Sequence, residues 1–166
     1  MSKQKIGNYR WRIVALLFFA TTLNYIDRQV ISILAPKLEV IFNWSEAEYS
    51  FIITAFQAAY ALGLLIMGGL VDRLGTKKGY SLAIIIWSIA GMLHGAARSV
   101  VSFALARFTL AFGESANFPA AIKSVAEWFP KRERALATGL LNSGTNVGAV
   151  ITPLIVPFVA LQWGWQ

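Results

Sequence analysis

Five long apolar runs, separated by short polar stretches, constrain this chain more than any other feature of its sequence. Each run is close to the roughly 20 mostly apolar residues that a helix needs to cross the hydrocarbon core of a bilayer. The sequence therefore predicts an all-α membrane protein with about five transmembrane helices. The predicted spans cover about 11–35, 47–71, 79–97, 101–122 and 135–161.

The composition excludes a soluble globular domain. Hydrophobic residues make up 57% of the chain and charged residues 14%, whereas soluble domains have roughly 45–50% and about 25%. Cysteine is absent and His94 is the only histidine in the sequence. A single histidine near an outer helix end does not fit a nucleophile–histidine–acid set, and the sequence has neither Cys/His metal spacing nor a phosphate-binding loop. We therefore expect no enzyme activity, no cofactor and no metal.

The net charge of +7 comes from basic residues that are concentrated in every second connection. Nucleic-acid binding would need these residues on one contiguous face, which their separation by apolar runs excludes. Alternating Lys/Arg-rich connections are typical of cytoplasmic loops, so we expect an inner-membrane protein with a cytoplasmic N-terminus. The basic connections carry Lys3, Lys5, Arg10, Arg12, Arg73, Lys77, Lys78, Lys123, Lys131, Arg132 and Arg134, and the others carry Lys37 and Arg98.

The first run also resembles a secretory signal peptide, because basic residues precede an apolar stretch. A cleaved signal would be followed by a soluble sequence, whereas four further apolar runs follow here. We therefore expect an uncleaved first helix.

Four ionisable residues lie inside the apolar runs: Asp27, Arg28, Arg107 and Glu114. Each costs about 2.5–3.5 kcal/mol to place in hydrocarbon, so such residues indicate function by default. Their formal charges cancel, which predicts pairing inside a helix bundle. Arg107 and Glu114 are seven residues apart and share one face of the fourth helix, so we expect them to be internal partners. A purely structural ion pair that fixes helix register is the alternative.

Polar side chains form stripes on four of the predicted helices. Because residues three or four apart share a helix face, the stripes predict a shared water-accessible cavity. Interhelical hydrogen bonds or packing alone are the alternative for the uncharged residues. The stripes are Asn24, Asp27 and Arg28 beside Tyr25, then Gln57 and Tyr60, then Glu114 and Asn117, and finally Asn142 and Asn146.

Small residues recur at every fourth position of the second and fifth predicted helices. Such stripes let two helix backbones approach closely, so they predict helix–helix contacts on these faces. The stripes are Ala55, Ala59 and Gly63 on the second helix, and Gly144 and Gly148 on the fifth.

The connection after the second span carries a motif. It reads Gly68-Gly69-Leu70-Val71-Asp72-Arg73-Leu74-Gly75-Thr76-Lys77-Lys78, which resembles the signature loop of the major facilitator superfamily. Gly75 permits a tight turn between two helices, and the adjacent lysines favour a cytoplasmic position. The resemblance implies a gating loop formed by Gly68, Asp72, Arg73, Gly75, Lys77 and Lys78.

Three further segments resemble the anion:cation symporter branch of this superfamily. They are Tyr25-Ile26-Asp27-Arg28, the stretch from Arg107 to Glu114, and Trp128-Phe129-Pro130-Lys131-Arg132-Glu133-Arg134-Ala135. The surrounding sequence, notably Ala58-Ala59-Tyr60 and Gly75-Thr76-Lys77-Lys78-Gly79-Tyr80, is most similar to bacterial hexuronate transporters.

The resemblance implies a fold of twelve helices in two six-helix halves, with the substrate bound between the halves. The present chain then forms the N-terminal bundle over 1–166, and the C-terminal half required for transport is absent from it. One segment departs from the family. Relatives carry a substrate-binding glutamine in the stretch that matches Asn142-Ser143-Gly144-Thr145-Asn146, where Thr145 or Asn146 must serve instead.

From the resemblance and the buried charges together, we expect proton-coupled uptake of a sugar acid, a hexuronate or an aldonate. Arg28 or Arg107 would bind the substrate carboxylate, because a guanidinium presents a matching pair of donors. Glu114 and Asp27 would carry the coupled proton, and protonation of Glu114 would free Arg107 for the substrate. Tyr25, Tyr60, Gln57 and Asn146 would hydrogen-bond the sugar hydroxyls.

Two alternatives remain open from the sequence. The first is a carrier of another organic anion, an aromatic or dicarboxylic acid. The second is a membrane protein that does not transport, either a sensor or an inert truncated product.

Overall fold

The computed structural model describes residues 8–165 as a bundle of helices. No strand occurs among these residues, so the predicted all-α class is confirmed. Lys3 and Lys5, which the sequence assigns to the cytoplasmic side, lie outside the described residues. The elements are α1 (Tyr9–Phe42), α2 (Glu46–Leu74), α3 (Thr76–Ala96), α4 (Val100–Glu114), α5 (Asn117–Trp128), a 3₁₀ turn (Lys131–Glu133) and α6 (Arg134–Gln162).

One end of the bundle, which we call the Gly75 end, gathers the N-terminus of α1, the α2–α3 connection and the α5–α6 connection. Gly75 alone joins α2 to α3, with a positive φ of 78° that glycine adopts without strain. Arg10 pairs with Glu133 at 2.8 Å, and the hydroxyl of Thr76 donates to Glu127 at 2.8 Å. These contacts tie α1 to the 3₁₀ turn, and α3 to α5, at this end.

The opposite end, which we call the Asn43 end, holds the α1–α2 and α3–α4 connections and the end of α6. Asn43 ends α1 in the left-handed region, with a φ of 51°. The ammonium of Lys37 donates to the carbonyl of Ala160 at 2.8 Å, and the rings of Phe103 and Trp165 lie 5.8 Å apart. α1, α4 and the segment after α6 therefore meet here.

The start of α2 agrees with the boundary predicted from the sequence, whereas the end of α1 does not. Ser45 is the N-cap of α2 and forms a capping box with Glu48, so α2 begins at Glu46, next to the predicted start of the second span at about 47. The first predicted span stops at residue 35, just before Pro36, whereas α1 continues through Pro36 to Phe42. Proline removes only one backbone donor, and Leu38, at 2% exposure, anchors the following turn in the core.

The fourth predicted span, 101–122, is not one regular helix. α4 ends at Glu114, α5 begins at Asn117, and the amide of Ala116 donates to the carbonyl of Gly113 in a tighter turn. Pro119 supplies the physical reason, because it has no amide hydrogen for the carbonyl of Ser115, four residues earlier. Ser115 and Ala116 keep right-handed helical backbone angles, so the chain passes from α4 into α5 without reversing its direction.

Among the described residues, three segments are long and apolar enough to cross a membrane: α2, α3 and Lys131–Gln162. α4 and α5 have 15 and 12 residues, each fewer than the roughly 20 that a span needs. The bundle also turns large apolar side chains outward, as at Leu65, which is 83% exposed. Such a surface is suited to lipid rather than water.

The small-residue stripes lie where helices touch. A Cβ added to Gly144 would come within 2.6 Å of the carbonyl oxygen of Phe18, and one added to Gly148 within 2.9 Å of that of Thr22. On α2, Gly63 faces the side chain of Ser115 closely enough that a Cβ would overlap it. α1 therefore packs tightly on α6, and α2 packs on the α4–α5 junction.

Candidate functional site

An ion pair between α1 and α4 forms the centre of the candidate site. The Nε of Arg28 lies 3.0 Å from Oε2 of Glu114. Glu114 is completely buried, whereas the side chain of Arg28 keeps 28% of its surface exposed. A charge with no access to solvent needs such a partner, and here the partner comes from another helix.

This pairing corrects the expectation that Arg107 is the internal partner of Glu114. Seven residues along a helix correspond to about 10 Å of rise, which is too far for a direct contact even though both side chains share a face. Arg28 reaches Glu114 from the facing helix instead. The predicted pairing inside the bundle holds, but the arginine is a different one.

Arg107 binds the backbone of α1. Its Nη1 donates to the carbonyl of Asp27 at 3.0 Å, and its Nη2 donates to the carbonyl of Arg28 at 3.3 Å. Arg107 is 3% exposed, and its Nε has no hydrogen-bond partner among the described residues. The guanidinium thus joins α4 to α1 at the two residues that carry the charges.

Two aromatic rings of α2 lie against these arginines. The guanidinium carbon of Arg28 is 4.2 Å from the ring centroid of Tyr60, and that of Arg107 is 4.5 Å from the ring centroid of Phe56. Each contact has the geometry of a cation–π interaction. Phe56 is 5% exposed, and nothing in its sequence context marks it as part of a site.

Asp27 faces a different space from Arg28. With Arg107 and His94 it lines a cavity of about 170 Å³ on the Asn43 side of the ion pair, which Phe103 and Trp165 also line. No hydrogen bond joins its carboxylate to another described residue. Asp27 and Glu114, the two proton sites proposed from the sequence, therefore have different neighbours.

The structure does not gather all of the predicted sugar-binding residues. Tyr60 contacts Arg28, and Tyr25 is half-buried with its Cβ against Gly148. Gln57 and Asn146 are exposed and make no hydrogen bond to another described residue. The described bundle alone therefore does not bring Gln57 or Asn146 to the arginines.

The residues of the predicted gating loop lie at the Gly75 end. Asp72 accepts a hydrogen bond from the ammonium of Lys123 at 2.7 Å, and Lys123 also donates to the carbonyl of Val71 at 3.3 Å. Asp72 is exposed, as are Arg73, Gly75, Lys77 and Lys78, while Gly68 is half-buried. Lys123 is thus the partner of Asp72 in this half, a role that its place in the sequence does not reveal.

A second polar group lies between the ion pair and the Gly75 end. Asn117 donates to the hydroxyl of Thr21 at 3.4 Å and accepts a short hydrogen bond from the hydroxyl of Tyr80. Asn24 is 5% exposed, and its Nδ2 has no partner among the described residues. Spacing alone links Asn117 with Glu114, but it does not identify Thr21 or Tyr80.

The bundle combines a buried charge cluster with an α2–α3 connection of a single glycine. The model of the Major Facilitator Superfamily matches residues 17–166. This chain belongs to that superfamily. Membership agrees with the three membrane-spanning segments and makes the chain part of a multi-pass membrane protein.

Curated relatives within the Major Facilitator Superfamily carry sugar-acid names. The chain is 36% identical over 98% of its length to the hexuronate transporter of Escherichia coli (strain K12), of which it covers 38%. It is 35% identical over 98% of its length to the galacturonate transporter of Dickeya chrysanthemi, of which it covers 47%. It is also 31% identical to the "Probable galactarate/D-glucarate transporter GarP" of Escherichia coli (strain K12), covering 38% of it. These proteins are transporters, not enzymes.

A solved superfamily structure has the same arrangement. The chain superposes on a bacterial homologue of the human lysosomal transporter Spinster, in its inward-facing and occupied conformation, with a TM-score of 0.85. The sequences are 31% identical, and the match covers 93% of this chain and 33% of the other. The chain therefore spans between a third and a half of the relatives that it matches.

Proposed function

We propose that the full-length protein is a secondary transporter that couples inward proton flow to the uptake of a sugar acid, a hexuronate or an aldonate, across the inner membrane. The names of the relatives support the substrate class. The buried charges of α1 and α4 support an acid substrate, because a free carboxylate needs a positive partner in a low-dielectric site. A second half, packed against the one described, completes the substrate site.

Arg28 is the proposed carboxylate-binding residue. Its side chain remains 28% exposed, whereas Arg107 is 3% exposed and already donates to two carbonyls. The larger exposure of Arg28, and the two carbonyls that already occupy Arg107, support Arg28 as the residue that an incoming carboxylate binds. This assigns to Arg28 the role that the sequence leaves open between the two.

The contact between Arg28 and the fully buried Glu114 is the observation that carries the coupling proposal. An ionised Glu114 holds Arg28 by charge and hydrogen bond at 3.0 Å. A proton on Glu114 removes the negative charge, which leaves Arg28 without a counter-ion and favours the substrate anion in its place. Proton and substrate then enter the site together and leave it together. Asp27 is a second proposed proton site.

The orientation proposed is a cytoplasmic N-terminus, with the Gly75 end facing the cytoplasm. The exposed basic residues at this end support it, since Arg73, Lys77, Lys78, Lys131 and Arg132 all lie there. At the Asn43 end the basic residues are Lys37 and Arg98, and both donate to backbone carbonyls.

The coupling proposal is tested with Glu114→Gln in the full-length protein, reconstituted in liposomes. We expect loss of accumulation driven by a pH gradient and retention of exchange of labelled for unlabelled galacturonate at equal pH. Glu127→Gln, on an exposed residue of the Gly75 end, is the matched control and retains both activities. Full accumulation by Glu114→Gln would overturn the assignment.

A dicarboxylic sugar acid is the second candidate substrate, favoured by the galactarate and glucarate in the name of one relative. Competition against labelled uptake separates the candidates. Galacturonate and glucuronate compete best if the carrier is a hexuronate transporter, whereas galactarate and glucarate compete best if the substrate carries two carboxylates.

A further inference from the structure

A buried polar seam extends from Glu114 toward the Gly75 end of the bundle. It consists of Glu114, Asn24, Thr21, Asn117 and Tyr80, contributed by α1, α3, α4 and α5. The first four are at most 6% exposed, and Tyr80 is half-buried. Four buried polar side chains in one place, within an otherwise apolar bundle, need a physical reason.

The position of Asn24 follows from its neighbours on α1. Thr21, Asn24 and Arg28 are three and four residues apart and therefore share one face of the helix. Thr21 contacts Asn117 and Arg28 contacts Glu114. Asn24 lies between these two contacts, so its carboxamide faces the interval between Glu114 and Asn117.

The seam holds one donor and one acceptor that protein groups leave unpaired. Nδ2 of Asn24 and Oε1 of Glu114 are both buried and have no partner among the described residues. A buried polar atom without a partner costs about 1–3 kcal/mol. A water molecule that accepts from Asn24 and donates to Glu114 satisfies both atoms, and buried waters typically bridge two to four polar groups.

The seam continues to the Gly75 end through hydroxyl groups. Asn117 joins the hydroxyl of Thr21 to the hydroxyl of Tyr80. Tyr80 lies in the second turn of α3, five residues after Gly75. Hydroxyl groups and water can exchange protons. The carboxamides of Asn24 and Asn117 position the hydroxyls and the water by hydrogen bonds.

We propose that the seam is the route by which Glu114 exchanges its proton with the Gly75 end, through water held by Asn24 and the hydroxyls of Thr21 and Tyr80. This rests on the proposed role of Glu114 as a proton site. The proton leaves the carboxyl of Glu114 for the bridging water, which gives one of its own protons to the hydroxyl of Thr21. Because a carboxamide does not relay protons, a second water beside Asn117 takes the proton that Thr21 releases and passes it to Tyr80 and the aqueous side. The substrate leaves past Arg28, so proton and anion take different paths from neighbouring groups. Asp27 and Arg107 are the remaining charged groups near Glu114, and neither belongs to the seam.

Two nearly isosteric substitutions test the route in the full-length protein in liposomes: Thr21→Val and Tyr80→Phe. Each removes one hydroxyl and preserves the packing volume. We expect accumulation of galacturonate driven by a pH gradient to slow about tenfold or more in the double variant, as the loss of a positioned proton-transfer group implies. Exchange at equal pH, which needs no net proton release, stays close to that of the unchanged protein and also shows that the variant is folded.

Ser124→Ala is the matched control, because it removes a buried hydroxyl of α5 that bonds only within its own helix. Unchanged accumulation in the double variant, together with lost accumulation in Glu114→Gln, overturns the seam and leaves the role of Glu114 intact. Unchanged accumulation in Glu114→Gln overturns both the seam and the role of Glu114 as a proton site. A matching slowdown in Ser124→Ala also overturns the seam, since any buried hydroxyl would then have the same effect.

Discussion

Arg107 donates a hydrogen bond to the backbone carbonyl of Asp27 at 3.0 Å and none to its carboxylate. A guanidinium used in this way fixes the distance between α4 and α1 at the level of the charge cluster. It also removes two of its nitrogens from competition for a ligand. We therefore interpret Arg107 as a positioning residue and keep the partly exposed Arg28 as the proposed carboxylate-binding residue.

Arg107→Lys tests this division of roles in the full-length protein. Lysine has one compact charge and cannot reproduce the fork of donors, so we expect a destabilisation of about 1–3 kcal/mol with little change in the affinity for galacturonate. Thermal unfolding in detergent and equilibrium ligand binding measure the two effects. Arg98→Lys, on an exposed arginine, is the control. A large loss of affinity without a change in unfolding temperature would instead make Arg107 a ligand-binding residue.

Tyr60→Leu should remove the cation–π contact that positions the guanidinium of Arg28. The Tyr60 ring lies 4.2 Å from the guanidinium, and a cation–π contact contributes about 0.5–1 kcal/mol at a partly exposed site. We expect KM for uptake to rise two- to fivefold in Tyr60→Leu, by about this energy. Tyr60→Phe keeps the ring and isolates the hydroxyl. An equal rise of KM in both variants would attribute the effect to the hydroxyl rather than to the ring.

Gly144→Ala and Gly139→Ala form a matched pair on α6. A Cβ at Gly144 would lie 2.6 Å from the backbone oxygen of Phe18, whereas one at Gly139 has nothing within 4 Å. Gly144→Ala should destabilise the protein by about 1–3 kcal/mol through overpacking, and Gly139→Ala should stabilise it by about 0.5–1 kcal/mol through helix propensity. Thermal unfolding of both variants measures the difference. A stable Gly144→Ala protein would show that α1 and α6 are not in close contact.

The Asp72–Lys123 pair at the Gly75 end should contribute little to stability. The side chain of Asp72 is 71% exposed, and exposed ion pairs typically have coupling energies of about 0.2–1 kcal/mol. A double-mutant cycle with Asp72→Asn and Lys123→Gln should give a coupling energy in this range, decreasing as salt screens the charges. A coupling energy well above it, insensitive to salt, would mean that the second half of the transporter covers the pair.

The sequence predicts the membrane class and most helix boundaries because long apolar runs and a capping Ser45 act locally. It fails at Pro36, where local propensity favours an end but core packing of Leu38 continues the helix. It also fails at the α4–α5 junction, although Pro119 is a visible signal for that break.

The charged residues of the site are predictable, but their partners are not. An ionisable group within an apolar run is evident from sequence alone. Which helix faces it depends on packing, so Arg28 rather than Arg107 meets Glu114. Phe56, Thr21 and Tyr80 are residue types that occur in any helix bundle, and only their three-dimensional neighbours distinguish them. Gln57 and Asn146 remain predictions, because their exposed side chains form no hydrogen bond with either arginine in the described part of the chain.

The single glycine between α2 and α3 limits how this half can deform. Gly79 on α3 packs so closely on Val71 of α2 that an added Cβ would lie 3.0 Å from the Cα of Val71. Only one residue connects α2 to α3, and the two backbones are in close contact. The two helices therefore cannot slide along each other. We therefore expect α2 and α3 to tilt as one unit, so that Tyr60 on α2 and Tyr80 on α3 keep their separation in any movement of this bundle.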